Sequence, residues 1–301
     1  MPLERILPAS EKPQTVAATV LEGTTVRALR ILAPDKPVFA AFLDGVQSSR
    51  VVSHLDGVPL VFGTVAAIVR ERRNRRLVTA DFNRVTSLYV PRRFVPSFRW
   101  DDDAPIRLVD TSVERSRPGA SADPLSPHPI ALAEAAFAAI RQDREALEVG
   151  LAERWCATPD RGPLYLDGSI AGSPRVSGSP TAVGVVKTHR VLYAEGDAMR
   201  TVLGLRHRER SSILRLKASQ LWPAGVGSVA TWYLRIRDAD GRDPLWGLVR
   251  VEVAESGATP ERADAISSWI LAETSPLSLP DARWDTMVYG IRDCEQTLRA
   301  N

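Results

Sequence analysis

Three β-rich runs crowd residues 37–82, and one long helix-forming segment follows them. PVFAAFLDG (37–45) is apolar and ends in Asp-Gly. RVVSHLDGVPLVFGTVAAIVRERR comes next, broken at Asp56-Gly57, and RRLVTADF follows it. β-Branched runs separated by turn dipeptides read as an antiparallel meander, with Asp44 at the end of its first strand. The segment HPIALAEAAFAAIRQDREALEVGLAERW (128–155) is dominated by Ala, Leu and Glu. Those residues favour helix, and Pro129 is tolerable only at its start. Ile140, Leu147, Leu151 and Trp155 form its apolar stripe. Further strands follow, so the chain must lay helices on the faces of a mixed sheet, an α/β architecture.

The rest of the chain fits around that frame. Residues 1–36 read as a lead-in with a helical piece in TVAATVLEGTTVRALRIL, ahead of a main domain spanning 37–301. RWDDDAPIRLVDTSVERSRPGASADPLSPH (99–128) reads as an irregular surface connection. GPLYLDGS (162–169) is a second apolar run ending in Asp-Gly, and TAVGVVKTHRVLY is a β-branched strand. A helical piece is expected at Ala198–Leu205 or at Ser211–Leu216. SVATWYLRIR and PLWGLVRVEV alternate around Asp240-Gly241 as a hairpin. TPERADAISSWILAET and WDTMVYGIRDCEQTLRA read as helices.

Composition removes several classes. With 44% hydrophobic and 25% charged residues over 301 positions, most of the chain can offset its ordering entropy. No apolar run of about 18 residues suggests a membrane span. MPLERILPASEKPQ lacks the apolar stretch of a secretory signal. Cys156 and Cys294 cannot build a disulfide framework, and His54, His128, His189 and His207 are scattered. These features read as a reduced, cytoplasmic protein. The net charge is only +3, but just Lys12, Lys36, Lys187 and Lys217 are lysines among 39 basic residues. That arginine bias fits either a GC-rich genome or bidentate phosphate recognition.

The order of acids carries the chemistry. Asp44 closes one apolar run and Asp167 another, with a glutamate-bearing helix between them. This is the element order of the ribonuclease H-like fold, a mixed sheet flanked by helices, here with insertions. Oxygen ligands from such elements suit two hard divalent ions that activate water on a phosphodiester. Asp-Gly is also a strong turn dipeptide, the reading that suits Asp56-Gly57 and Asp240-Gly241.

FLDGVQSSR, LYLDGSI followed by VGVVKTHR, and LWGLVRVEV together resemble the NurA nuclease family. The matching order covers roughly residues 37–300. The resemblance implies Asp44, Asp167 and a helix glutamate as ligands for two Mn²⁺ or Mg²⁺ ions. The helix glutamate is Glu148, with Glu145 next and Glu134 weaker at the helix start. Lys187 would face the phosphate as a point charge. Arg250 and Glu252 share a strand face, either as a salt bridge or as part of the site. Tyr289 matches the family's C-terminal tyrosine, but no histidine follows it, so either Asp293 or Glu295 takes that place or the site lacks this member. The resemblance further implies DNA cleavage by 5′–3′ exonuclease and endonuclease action, a homodimer, and a hexameric HerA-like ATPase as partner. End processing in repair, or defence against foreign DNA, would be the setting.

RERRNRR (70–76) forms a basic hairpin tip, where Arg72, Arg73, Arg75 and Arg76 are candidate nucleic-acid contacts or simply solvated turn residues. GSIAGSPRVSGSP lacks the Gly-Lys-Ser/Thr ending of a phosphate-binding loop, so the chain shows no nucleotide motor of its own. A non-catalytic DNA-binding or adaptor subunit with a degraded site is the alternative, supported by the missing histidine.

Overall fold

Two-residue turns with positive φ at both positions match the twist of flanking strands and close long hairpins. Asp56 and Gly57 (φ 52° and 81°) form one such turn, and Asn74 and Arg75 (φ 49° and 64°) form the next. Between and beside them run the longest strands of the molecule. A computed structural model describes residues 13–32, 37–101, 103–112, 125–216, 228–274 and 286–300.

In chain order the strands begin with β1 (Gln14–Thr15), β2 (Thr19–Val20) and β3 (Ala28–Arg30). The meander is β4 (Ala41–Leu55), β5 (Val58–Arg73) and β6 (Arg76–Val90), followed by β7 (Arg107–Asp110). Helix α1 (Pro129–Ala157) leads to β8 (Leu164–Asp167), the short α2 (Pro174–Ser177), β9 (Ala182–Val186) and β10 (Val191–Leu192). Then come α3 (Gly196–Leu203), β11 (Glu209–Ser211), β12 (Leu214–Arg215), β13 (Val229–Arg235) and β14 (Leu248–Ala254). Helices α4 (Pro260–Glu273) and α5 (Tyr289–Ala300) complete the order.

One mixed sheet runs β2-β12-β13-β14-β9-β8-β4-β5-β6-β7, with β11 and β3 attached beside β13. At its centre β4 is antiparallel to β5 and parallel to β8, and β8 is parallel to β9. The fold is therefore mixed α/β with the ribonuclease H-like order expected above. Side-chain alternation separates two layers. Ala41, Leu43, Ala67 and Val69 bury against Leu151 and Trp155 of α1. Phe42, Ile68, Val183 and Val185 bury against Ile266 and Ile270 of α4 and Ile291 and Leu298 of α5. Helix α1 starts as its sequence predicts, with Pro129 in the first turn and His128 Nδ1 accepting from the Ile130 amide at 3.2 Å.

Four local expectations are corrected. Asp44 does not end its strand: β4 continues through Gly45 to Leu55, so the first turn falls at Asp56-Gly57. Edge pairing with β8 stops at Leu43, but β5 stays beside β4 to Leu55 and carries the strand onward. Within residues 15–32 short strands replace the expected helix, since β2 and β3 find partners in β12 and β11. Ser211–Leu216 is strand rather than helix, whereas α3 falls at Gly196–Leu203. The 99–128 connection contains β7, parallel to β6. The remainder of that connection at residues 102 and 113–124, and the start of the lead-in at 1–12, lie outside the described residues. No described helix is long and apolar enough to cross a membrane.

Candidate active site

Strand register brings the two Asp-Gly acids together. Leu43 pairs with Leu166, so Asp44 and Asp167 stand one position further along neighbouring parallel strands. Both share the sheet face of Phe42 and Tyr165, whose ring centroids lie 5.8 Å apart. On the next strand Asp167 pairs with Val185, and Lys187 follows two residues later. Its Nζ donates to Asp167 Oδ2 at 2.8 Å.

Asp44 is 7% exposed, and its Oδ1 accepts the Gly45 amide at 2.8 Å. Burial holds its carboxyl well above the ordinary carboxylate range; the Asp167 and Glu148 charges add to the rise and Lys187 opposes it. Glu148 reaches the site from α1. Burial lifts its carboxyl to about 7, against the opposing Arg144 guanidinium, and Asp167 adds to the rise. Arg144 donates to Glu148 Oε1 and, through Nε, to Gln47 Oε1 at 3.1 Å.

Gly45 is what admits Glu148. A Cβ there would lie 2.2 Å from Glu148 Oε1. The colliding atoms end a flexible side chain, so Gly45→Ala is expected to cost at most about 1 kcal/mol of stability. Displacing the carboxylate by an ångström is expected to slow any reaction that uses it by on the order of 10²-fold. Unchanged turnover in a folded Gly45→Ala variant would remove Glu148 from the chemistry.

Two cavities meet here. A cleft of about 630 Å³ is lined by Asp44, Gln47, Asp167, Lys187, Glu295 and Arg299, among others. A second cavity of about 310 Å³ lies under α1, lined by Leu43, Glu148, Leu166, Ile170 and Val176, among others. Arg144, Asp167 and Gly168 line both.

The other candidates fall in different places. Glu145 lines the second cavity, one helical turn from Glu148, and lies 4.0 Å from Arg144. Glu134 is fourteen residues earlier on α1, about 21 Å along the axis, and is not part of this cluster. Glu252 is 1% exposed, paired with Arg250, and accepts Ser169 Oγ at 2.7 Å and the Ile170 amide at 3.0 Å. It pins the segment after Asp167 from the α1 side and does not line the cleft. Tyr289 begins α5 and is 52% exposed. Asp293 pairs with Arg70 at 2.5 Å, while Glu295 lines the cleft.

The basic hairpin lies elsewhere. Asp44 pairs with Ile68, and the tip is five residues further along β5, about 17 Å away. Arg72 donates to Glu273 at 2.8 Å and to the Phe39 carbonyl at 2.6 Å. Arg73 pairs with Glu71 at 2.7 Å, and Arg75 and Arg76 are exposed on the turn. Arg144 and Gln47 also line the cleft, and neither stands out in the sequence analysis. The spacing of Arg144 four before Glu148 was a usable signal; Gln47 had none.

The donor set is oxygen only, as hard divalent ions require. Glu148 and Asp167 each lean on a cation, Arg144 and Lys187, which supplies the charge such an ion would bring. Among the described residues no three acidic, histidine or cysteine groups are already gathered around one metal position. The donors fit by chemistry, and ion binding requires those two ion pairs to open.

Fold and site together define an α/β protein with a buried acidic cleft at the junction of two parallel strands. No protein-family model matches the chain, and no curated protein matches it. Among solved structures it is similar to the NurA nuclease from Sulfolobus solfataricus, of the family its motifs resemble. The identity is 10%, the match covers 94% of this chain and 86% of that one, and the TM-score is 0.45.

Proposed function

We propose that this chain is a divalent-metal-dependent nuclease that hydrolyses DNA phosphodiester bonds. One observation carries the reading: Asp44 and Asp167 occupy matching positions on adjacent parallel strands, with Lys187 beside them and Glu148 entering from α1. A fold gains nothing from a carboxylate buried like Asp44 beside two others, because each raises the cost of ionising its neighbour.

Asp44, Glu148 and Asp167 would hold two Mn²⁺ or Mg²⁺ ions. Such ions supply an activated water and neutralise charge on the leaving oxygen. Lys187 releases Asp167 and turns its ammonium to a non-bridging phosphate oxygen. Arg144 swings from Glu148 toward the cleft, where it can meet a second phosphate oxygen. Buried Asp44 stays in place as the fixed acid, held by the Gly45 amide. In this reading the chain acts as a 5′–3′ exonuclease and endonuclease, as a homodimer, with a HerA-like hexameric translocase, in end processing or defence.

Cleavage of labelled single- and double-stranded DNA tests it, with Mn²⁺, Mg²⁺ or EDTA, for wild type, Asp44→Ala and Asp167→Ala. Metal-dependent cleavage lost in both variants is expected. Mn²⁺ is also expected to raise the wild-type Tm by mass action and to leave the Asp44→Ala Tm unmoved. One observation favours a second reading, a non-catalytic DNA-binding or adaptor subunit: Glu148 and Asp167 are already ion-paired. A folded wild type with neither cleavage nor a metal-induced Tm shift would select it.

A further inference from the structure

On the sheet face that carries Asp44, β4, β5 and β6 extend well beyond the cleft. Register gives successive rows: Asp44–Ile68–Phe82, Val46–Ala66–Arg84, Ser48–Thr64–Thr86 and Arg50–Phe62–Leu88. Arg50, Ser48 and Arg84 are exposed, and Phe82 is 41% exposed. The Arg50 guanidinium sits over the Phe62 ring, 5.4 Å from its centroid. Thr64 and Thr86 share a hydrogen bond of 3.1 Å between their hydroxyls. Past Asp44 these rows hold two arginines and no carboxylate.

We propose that this face is a track for single-stranded nucleic acid leading into the acidic cleft. The inference rests on the nuclease reading and adds the surface along which the substrate reaches the cleft. The charge on the face complements phosphates. Aromatic side chains on an open sheet stack unpaired bases, whereas paired bases are buried in a duplex. Arg50 lies six residues along β4 from Asp44, about 20 Å, so the track spans several nucleotides. Phe82 lies two strands from Asp44 in the same row, roughly 10 Å away. A base stacked there holds its strand beside the cleft mouth.

The test compares wild type, Arg50→Glu/Arg84→Glu and Phe82→Ala by fluorescence anisotropy in EDTA. The probes are a labelled oligothymidylate and a duplex, each of about 20 nucleotides or base pairs. The double variant is expected to bind the single strand at least about tenfold more weakly, with the log–log salt slope reduced by about 1.4. Phe82→Ala is expected to lose about tenfold on the single strand and little on the duplex. Single-strand affinity within twofold of wild type in both variants would overturn the track. So would a dimer-to-monomer shift of the double variant in sedimentation, because a second copy would then cover the face. Hydrolysis of bis(p-nitrophenyl) phosphate by wild type with Mn²⁺ reads the cleft separately. Its absence would remove the nuclease, while the binding arms still decide the track.

Discussion

Asp44→Asn is expected to abolish metal-dependent cleavage, by on the order of 10³-fold or more, and at the same time to make the chain more stable. The two effects share one cause. Asp44 is buried, faces Asp167 and Glu148, and has its ordinary acidity suppressed mainly by desolvation. A neutral amide of the same shape keeps the packing and removes an unfavourable charge. Glu148 behaves alike, with its carboxyl lifted from 4.5 to about 7.

The sign follows from linkage. A carboxyl with a raised folded-state pKa binds more protons in the folded than in the unfolded chain. Stability is therefore greatest below the unfolded value and falls as pH rises through the folded one. In EDTA, wild type is expected to lose stability between about pH 5 and pH 8, and Asp44→Asn and Glu148→Gln to lose less. At pH 8 each variant should gain roughly 1–2 kcal/mol, on the order of 2–4 °C in Tm. Thermal melts at the two pH values check this. A destabilised Asp44→Asn at pH 8 would mean that Lys187 needs the charge for folding more than the fold suffers from it.

Arg210→Met is expected to have the largest effect on stability. Arg210 is 1% exposed on β11. It donates to Glu22 at 2.6 and 3.1 Å, to Asp264 of α4 at 2.6 Å, and to the Ser211 carbonyl at 3.0 Å. Glu22 also accepts the Ile213 amide at 3.0 Å. One guanidinium thus ties the N-terminal strands to the sheet and to α4. Methionine fills the stem but leaves Glu22 without its cation in a poorly hydrated position. Removing one partner of a buried pair costs about 3–5 kcal/mol. The shift in urea midpoint measures it, and Glu22→Gln added to Arg210→Met should recover part of the loss. A loss below about 1 kcal/mol would show that water replaces the guanidinium.

Arginine is where the sequence was least readable. Its excess over lysine suits phosphate recognition, yet Arg210, Arg235 and Arg250 are buried and serve the fold. Arg235 donates to the Leu203 and Leu205 carbonyls at the end of α3, at 2.7 and 2.9 Å. Arg72, at the basic hairpin, is likewise bonded to Glu273. A planar group with five donors can satisfy several buried carbonyls and carboxylates at once, and sequence does not say which arginines are so used.

Local physics made the rest legible from sequence. The Asp56-Gly57 turn, the β-branched runs and the Ala/Leu/Glu segment after Pro129 follow local preferences, so the meander, α1 and the β13–β14 hairpin could be read directly. The pairing of Asp44 with Asp167 as site residues came from their equivalent places after apolar runs, which is also a local property. Tertiary structure decided what depends on partners distant in the chain. The short strands β1, β2 and β3 form only because β10, β12 and β11 lie ready to pair with them. Asp44 leaves the turn reading because β5 keeps pairing past it, and Gly45 then acts as the gap that Glu148 fills. The basic tip ends away from the acidic cleft because β5, which pairs with Asp44 at Ile68, runs five more residues, about 17 Å, before it turns.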